Sequence, residues 1–141
     1  VCIASSGTNA VHALSYPLGG RYRIPHGVSN AILLAPAFAY NMDACTAKLA
    51  QVAGLAAAVR GESLAGKSEQ QRAQYLVDFL AALTRNLKIP ASLEELGIPA
   101  TDLDWLVDAA FEVKRLLNNN PKPLDKNDIR AIYTSILTRK C

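Results

Sequence analysis

Apolar residues recur at three- and four-residue intervals along nearly the whole chain, a period that commits it to packed helices. Tyr75, Leu76, Phe79, Leu80, Leu83 and Leu87 draw one such stripe. Leu103, Leu106, Val107, Ala110, Val113 and Leu117 draw a second, and Ile129, Ile132, Tyr133 and Ile136 a third. A stripe of this kind has to be buried against a neighbour. No stretch of strict alternation is long enough to predict a strand. The expected fold class is all-α, a helical bundle.

Start and stop signals agree with the stripes. Ser68-Glu-Gln-Gln71 and Ser92-Leu-Glu-Glu95 have the capping-box form, in which side chains satisfy the free N–H groups of a helix start. Thr101 and Asp125 are further candidate N-caps. Gly61, Pro90 and the Asn118-Asn-Asn-Pro-Lys-Pro123 stretch mark stops. Helices are therefore expected near 2–15, 27–41, 43–60, 68–87, 101–118 and 125–138, with a short helical turn around 92–96. The Ala- and Leu-rich stretch 44–59 combines high helix propensity with small side chains that permit close packing. Neither an internal repeat nor a low-complexity linker divides the 141 residues, so residues 1–141 are read as a single domain.

Composition narrows the function classes. The apolar run 31–40 is far below the roughly 20 residues that span a bilayer, and Pro36 interrupts it, so no membrane segment is expected. A net charge of +3 comes from basic residues spread among acids, without the clustered stripe of a nucleic-acid binder. Cys2, Cys45 and Cys141 are an odd number at wide spacings. They fit reduced thiols in a cytoplasmic protein rather than a disulfide framework, with Cys45 a small buried hydrophobe. The opening Val1-Cys2-Ile3-Ala4-Ser5-Ser6-Gly7 has no initiator Met and no basic n-region, and reads as the interior of something longer.

The chain has two histidines, His12 near the end of the first expected helix and His26 in Ile24-Pro25-His26-Gly27 before the second. Between them Pro17, Gly19, Gly20 and Pro25 permit a tight, hairpin-like reversal. Helix, reversal and helix can bring the imidazoles together, and neutral imidazole is the commonest protein ligand for divalent transition metals. Spacing leaves a second reading open: His26 as a helix-start residue and His12 as a half-buried, hydrogen-bonded one.

The stretch Val11-His-Ala-Leu-Ser-Tyr-Pro-Leu-Gly-Gly-Arg-Tyr-Arg-Ile-Pro-His-Gly-Val-Ser-Asn-Ala-Ile-Leu-Leu34 resembles the signature of the iron-containing alcohol dehydrogenases, with its His, Pro-Leu-Gly and Pro-His-Gly-x-x-Asn-Ala at this spacing. Asn41, Leu93-Glu-Glu-Leu-Gly-Ile98 and Asn120-Pro-Lys-Pro123 extend the resemblance over essentially the whole chain. It implies the C-terminal helical domain of a dehydroquinate synthase-like fold, the N-terminal dinucleotide-binding domain being absent from this sequence.

The resemblance implies that His12 and His26 are two ligands of a divalent metal, Fe²⁺ or Zn²⁺. An Asp and a further His, supplied in the family from a helix upstream, have no counterpart here, and neither has the Gly-Gly-Gly-Ser stretch that cradles the NAD or NADP pyrophosphate. No cofactor-binding residue is therefore assigned. Where many members carry another His four residues after the first ligand, this chain has Tyr16. The change puts the proton relay in doubt rather than the metal. A phenol there donates to a substrate oxygen or walls the pocket; Pro17 biases it away from helical geometry. Leu116 falls at a position like the family's substrate-pocket wall and equally suits an ordinary core leucine. Arg21 and Arg23 either attract an acidic substrate or are solvated loop charges.

The reaction implied is hydride transfer between an alcohol carbon and the nicotinamide, with the metal as Lewis acid. The Pro-His-Gly-x-x-Asn-Ala stretch favours the alcohol dehydrogenase branch over the related glycerol dehydrogenase and dehydroquinate synthase branches. The expected partners are the dinucleotide-binding domain, a small alcohol or carbonyl substrate, and a second copy in a homo-oligomer. Taken by itself the chain is expected to be inactive. The alternative is a stand-alone, non-catalytic helical interaction or assembly module.

Overall fold

The computed structural model describes residues 8–138. Cys2, Cys141 and the first part of the helix expected at 2–15 lie outside the described residues. Their regular structure is all helical, with no strand among the described residues. The helices are α1 (Ala10–Tyr22), α2 (His26–Val59), α3 (Glu69–Asn86), α4 (Leu103–Phe111), α5 (Lys114–Leu117) and α6 (Lys126–Ser135), with a 3₁₀ turn over Ala100–Asp102 before α4.

Several starts are set by side chains where expected. Ser68 Oγ accepts from the Gln71 N–H at 3.2 Å while Gln71 Oε1 accepts from the Ser68 N–H at 2.9 Å, closing the capping box of α3. Asp125 and Asp128 form the equivalent reciprocal pair at α6. Each such cap contributes about 1 kcal/mol. Thr101 does not cap: it lies inside the 3₁₀ turn, and α4 starts after Asp102. Around 92–96 the chain makes i→i+3 turns rather than α-helix, with Ser92 Oγ taking the Glu95 N–H.

The largest departure is at α1. The helix starts after Asn9, whose side chain accepts from the Val11 N–H, and runs through Pro17, Gly19 and Gly20 to Tyr22. Proline in a helix interior removes a hydrogen bond and crowds the carbonyl four residues back. Here Leu14, Ser15, Pro17 and Leu18 are all buried, and that packing overrides the local preference. Tyr16 is accordingly helical. The reversal is confined to Arg23–Pro25: Arg23 sits at φ 56°, ψ 27°, and the Ile24 N–H returns to the Leu18 carbonyl.

Residues 27–60, expected as two helices, form α2 with a break at Cys45 (φ −129°, ψ 15°). Asp43 Oδ1 takes the Ala44 N–H and the Thr46 hydroxyl donates to the Met42 carbonyl, local bonds that compete with the helical ladder. The helix expected at 101–118 is likewise interrupted, at Glu112–Val113, so that Leu116 and Leu117 turn inward and are buried.

The main core joins α1, the first half of α2, the 93–98 turn and α4 to α6 around Leu14, Leu18, Leu33, Leu106, Ile129 and Tyr133. Past the kink, α2 and α3 form a hairpin over a smaller cluster, Leu49, Ala53, Ala73 and Leu76. No helix among the described residues is long and apolar enough to cross a membrane.

Candidate metal centre

His12 and His26 are fourteen residues apart in sequence and adjacent in space. His12 lies in the first turn of α1 and His26 opens α2 after Pro25. Because α1 is pinned at its far end, the short 23–25 reversal returns the chain to the same side of the bundle. The pin is a cluster at Tyr22. Its hydroxyl donates to the Asp102 carboxylate, Arg21 pairs with the same carboxylate at 3.2 Å, and the Arg21 guanidinium stacks 4.4 Å over the Trp105 ring. Burial first, and the bond to Asp102 second, push the Tyr22 phenol up to about 12. Arg21 is thus held structurally rather than left as a solvated loop charge, while Arg23 is exposed.

The two imidazole rings have centroids 5.3 Å apart at an interplanar angle of 52°. Two imidazoles sharing one tetrahedral cation at the usual metal–nitrogen distance have centroids about 5 Å apart, so the pair has the spacing of a shared metal. Protonation also works in that direction. Burial, and then the neighbouring His26, hold His12 below its ordinary 6.5, which keeps it a neutral donor near pH 7. Among the described residues no third His, Cys, Asp or Glu joins the pair.

Tyr16, one turn along α1 from His12, is 45% exposed and has its ring centroid 6.4 Å from that of His26. Leu116 is 1% exposed within the main core, packing as a core leucine. Two features were not assigned a role from the sequence. One is the Asp102–Trp105 anchor, for which the sequence holds no local signal. The other is Asn30, whose Nδ2 lies 3.0 Å from His26 Nε2. The four-residue spacing from His26, which puts both on one helix face, was the signal that could have found it.

Comparison with known proteins bears on the family and the fold. Residues 1–137 match the C-terminal model of the Fe-containing alcohol dehydrogenase family. The chain is 40% identical over 129 residues to long-chain-alcohol dehydrogenase 1 of Geobacillus thermodenitrificans, covering 92% of this chain and 32% of that protein. It is 32% identical over 123 residues to 1,3-propanediol dehydrogenase of Klebsiella pneumoniae, covering 87% of this chain and 30% of that protein. Its fold superposes on the crystal structure of a 1,3-propanediol oxidoreductase with a TM-score of 0.83 at 32% identity, over 92% of this chain and 32% of that one. An alcohol dehydrogenase from Oenococcus oeni gives 0.81 at 30% identity, over 92% of this chain and 33% of that one. The chain spans about a third of the length of these relatives. With a signature helix pair, a matching fold and a family match over nearly its whole length, this chain belongs to the iron-containing alcohol dehydrogenase family, as its C-terminal helical part.

Proposed function

We propose that this chain is the metal-holding helical half of an NAD(P)-dependent alcohol dehydrogenase, which interconverts an alcohol with an aldehyde or ketone by hydride transfer. The observation that carries the reading is the convergence of His12 and His26 at 5.3 Å between ring centroids. Bound there, Fe²⁺ or Zn²⁺ supplies Lewis acidity toward the substrate oxygen. The chain's own residues prepare that event. Burial keeps His12 neutral, the 23–25 reversal fixes His26 opposite it, and the Arg21–Asp102–Trp105 anchor keeps the reversal from opening.

Tyr16 is exposed beside the pair and is assigned the role of donating its phenolic O–H to the substrate oxygen, orienting it. Leu116 acts from the core, holding α5 in place, since its burial leaves no free face for a substrate. NAD or NADP, and the further metal ligands, are assigned to a dinucleotide-binding domain outside this sequence, and the working assembly to a homo-oligomer. The support is that the chain spans about a third of its relatives' length.

The test is metal content and steady-state kinetics of the protein at its natural length. His12→Ala and His26→Ala are each expected to strip the metal and lower kcat/KM about a hundred-fold or more. Tyr16→Phe is expected to lower kcat/KM about five-fold, the worth of one hydrogen bond, with metal content intact. Full metal occupancy in both histidine variants would overturn the assignment and favour a non-catalytic helical module.

A further inference from the structure

Asn30 lies one turn beyond His26 on the same face of α2, with Nδ2 3.0 Å from His26 Nε2. This is the single hydrogen bond of the His26 ring among the described residues; the His12 ring makes none there. Asn30 Oδ1 is buried without a partner among the described residues, and it is Nδ2 that faces the ring. An amide N–H only donates, so the contact uses the electron pair on Nε2. An imidazole nitrogen ligates a metal through that same pair. The two uses exclude each other.

We propose that Asn30 is a positioning residue that holds His26 by the Nε2 electron pair while the site is metal-free, so that a divalent cation taking this nitrogen must displace the amide. The inference rests on the reading that His12 and His26 share a cation. Asn30 does two opposed things. It orients an otherwise exposed ring toward His12 before any cation arrives, and it competes with that cation for one lone pair. Asn30 itself is only partly buried, so the released N–H finds water and the competition stays modest. Its strength is that of one neutral hydrogen bond, about five-fold in affinity.

The experiment uses the protein at its natural length, stripped of metal by a chelator, with Zn²⁺ alone as the probe. Asn30→Ala, favourable in a helix, is expected to bind Zn²⁺ about five-fold more tightly by calorimetry, and Asn30→Ser to move in the same direction. Unchanged or weaker binding in both variants would overturn the proposal. Imidazole ¹⁵N spectra of the stripped protein at pH 8 give an independent readout. His26 Nε2 is expected as an unprotonated, hydrogen-bond-accepting nitrogen whose shift moves in Asn30→Ala. A protonated Nε2 would also overturn it, because the amide would then have to present its oxygen. His26→Ala separates the two levels of argument. If it leaves Zn²⁺ affinity intact, the shared-cation reading fails. If it weakens binding while Asn30→Ala does not tighten it, only the role of Asn30 fails.

Discussion

The half of the molecule that carries the histidines and the distal α2–α3 hairpin are held together differently, although α2 runs through both. Around the histidines the core is made of large side chains with no exposure, Leu14, Leu18, Leu33, Leu106, Ile129 and Tyr133 among them. Polar bonds tie remote segments across it. The Tyr133 hydroxyl donates to the Leu14 carbonyl at 2.6 Å, and the Asn41 and Asn120 amides pair reciprocally. Past the kink at Cys45 the hairpin's buried cluster is Leu49, Ala53, Ala73 and Leu76, with partly buried side chains such as Tyr75, Phe79 and Leu80 packed on it, and Val52, Leu55 and Val59 are left at 48, 71 and 88% exposure. Alanines let helices approach closely but remove less apolar area from water than leucines do. The tightest burial of large side chains is therefore in the half that carries His12 and His26. The hairpin is the region expected to open first.

The strongest way to break this comparison is Tyr133→Ala. The ring is fully buried, so its removal leaves a cavity and ends the tie to α1 two residues from His12. A loss of about 3–5 kcal/mol is expected in urea unfolding, enough to unfold both halves together. A loss under about 1 kcal/mol would mean that the main core does not organise the site.

Leu76→Ala probes the other side. It is expected to cost about 2–3 kcal/mol, the low end for a core leucine, because alanine neighbours leave less packing to lose. The distribution matters more than the size. Amide exchange should quicken through α3 and the second half of α2, while α1 and α6 keep their protection. Uniform quickening would show that the hairpin is not a separate cooperative unit.

What the sequence could and could not reveal follows the same division. The stripes in α3, α4 and α6 and the caps at Ser68 and Asp125 are local patterns with local causes, and the structure keeps them except at the end of the first stripe, where Leu83 and Leu87 are exposed. The motif residues His12 and His26 converge as the reversal between them suggested. Where the sequence misleads, a long-range contact overrides a local rule. Pro17, Gly19 and Gly20 signal a loop, yet burial of Leu14, Pro17 and Leu18 against distant helices extends α1 to Tyr22. The break at Glu112–Val113 serves the burial of Leu116 and Leu117, which no spacing announces. Asn30 was visible in the motif, but its role depends on which way an imidazole ring faces.

The smallest effect, and the sharpest division of the two regions, is expected in acid. His12 is held below its ordinary 6.5 by burial first and by His26 second. Below that value the unfolded chain takes up the proton more readily than the folded one. The stability tied to neutral His12 is therefore complete above 6.5 and is lost as pH falls through it toward the lower folded value. In the hairpin one titrating group is Glu62, which accepts from the Tyr75 hydroxyl at 2.8 Å and pairs with Arg60, and is held below 4.5 by that hydroxyl first. Its contribution is complete above 4.5 and is lost only as pH falls further. Glu62 is exposed, so its effect is the slighter of the two. Protection factors followed down in pH should therefore drop first in α1 and later in the hairpin. Glu62→Gln should remove the second drop and leave the first. Simultaneous loss in both regions, or loss in the hairpin first, would mean that His12 is not the group that ties the histidine-bearing half to its buried, neutral state.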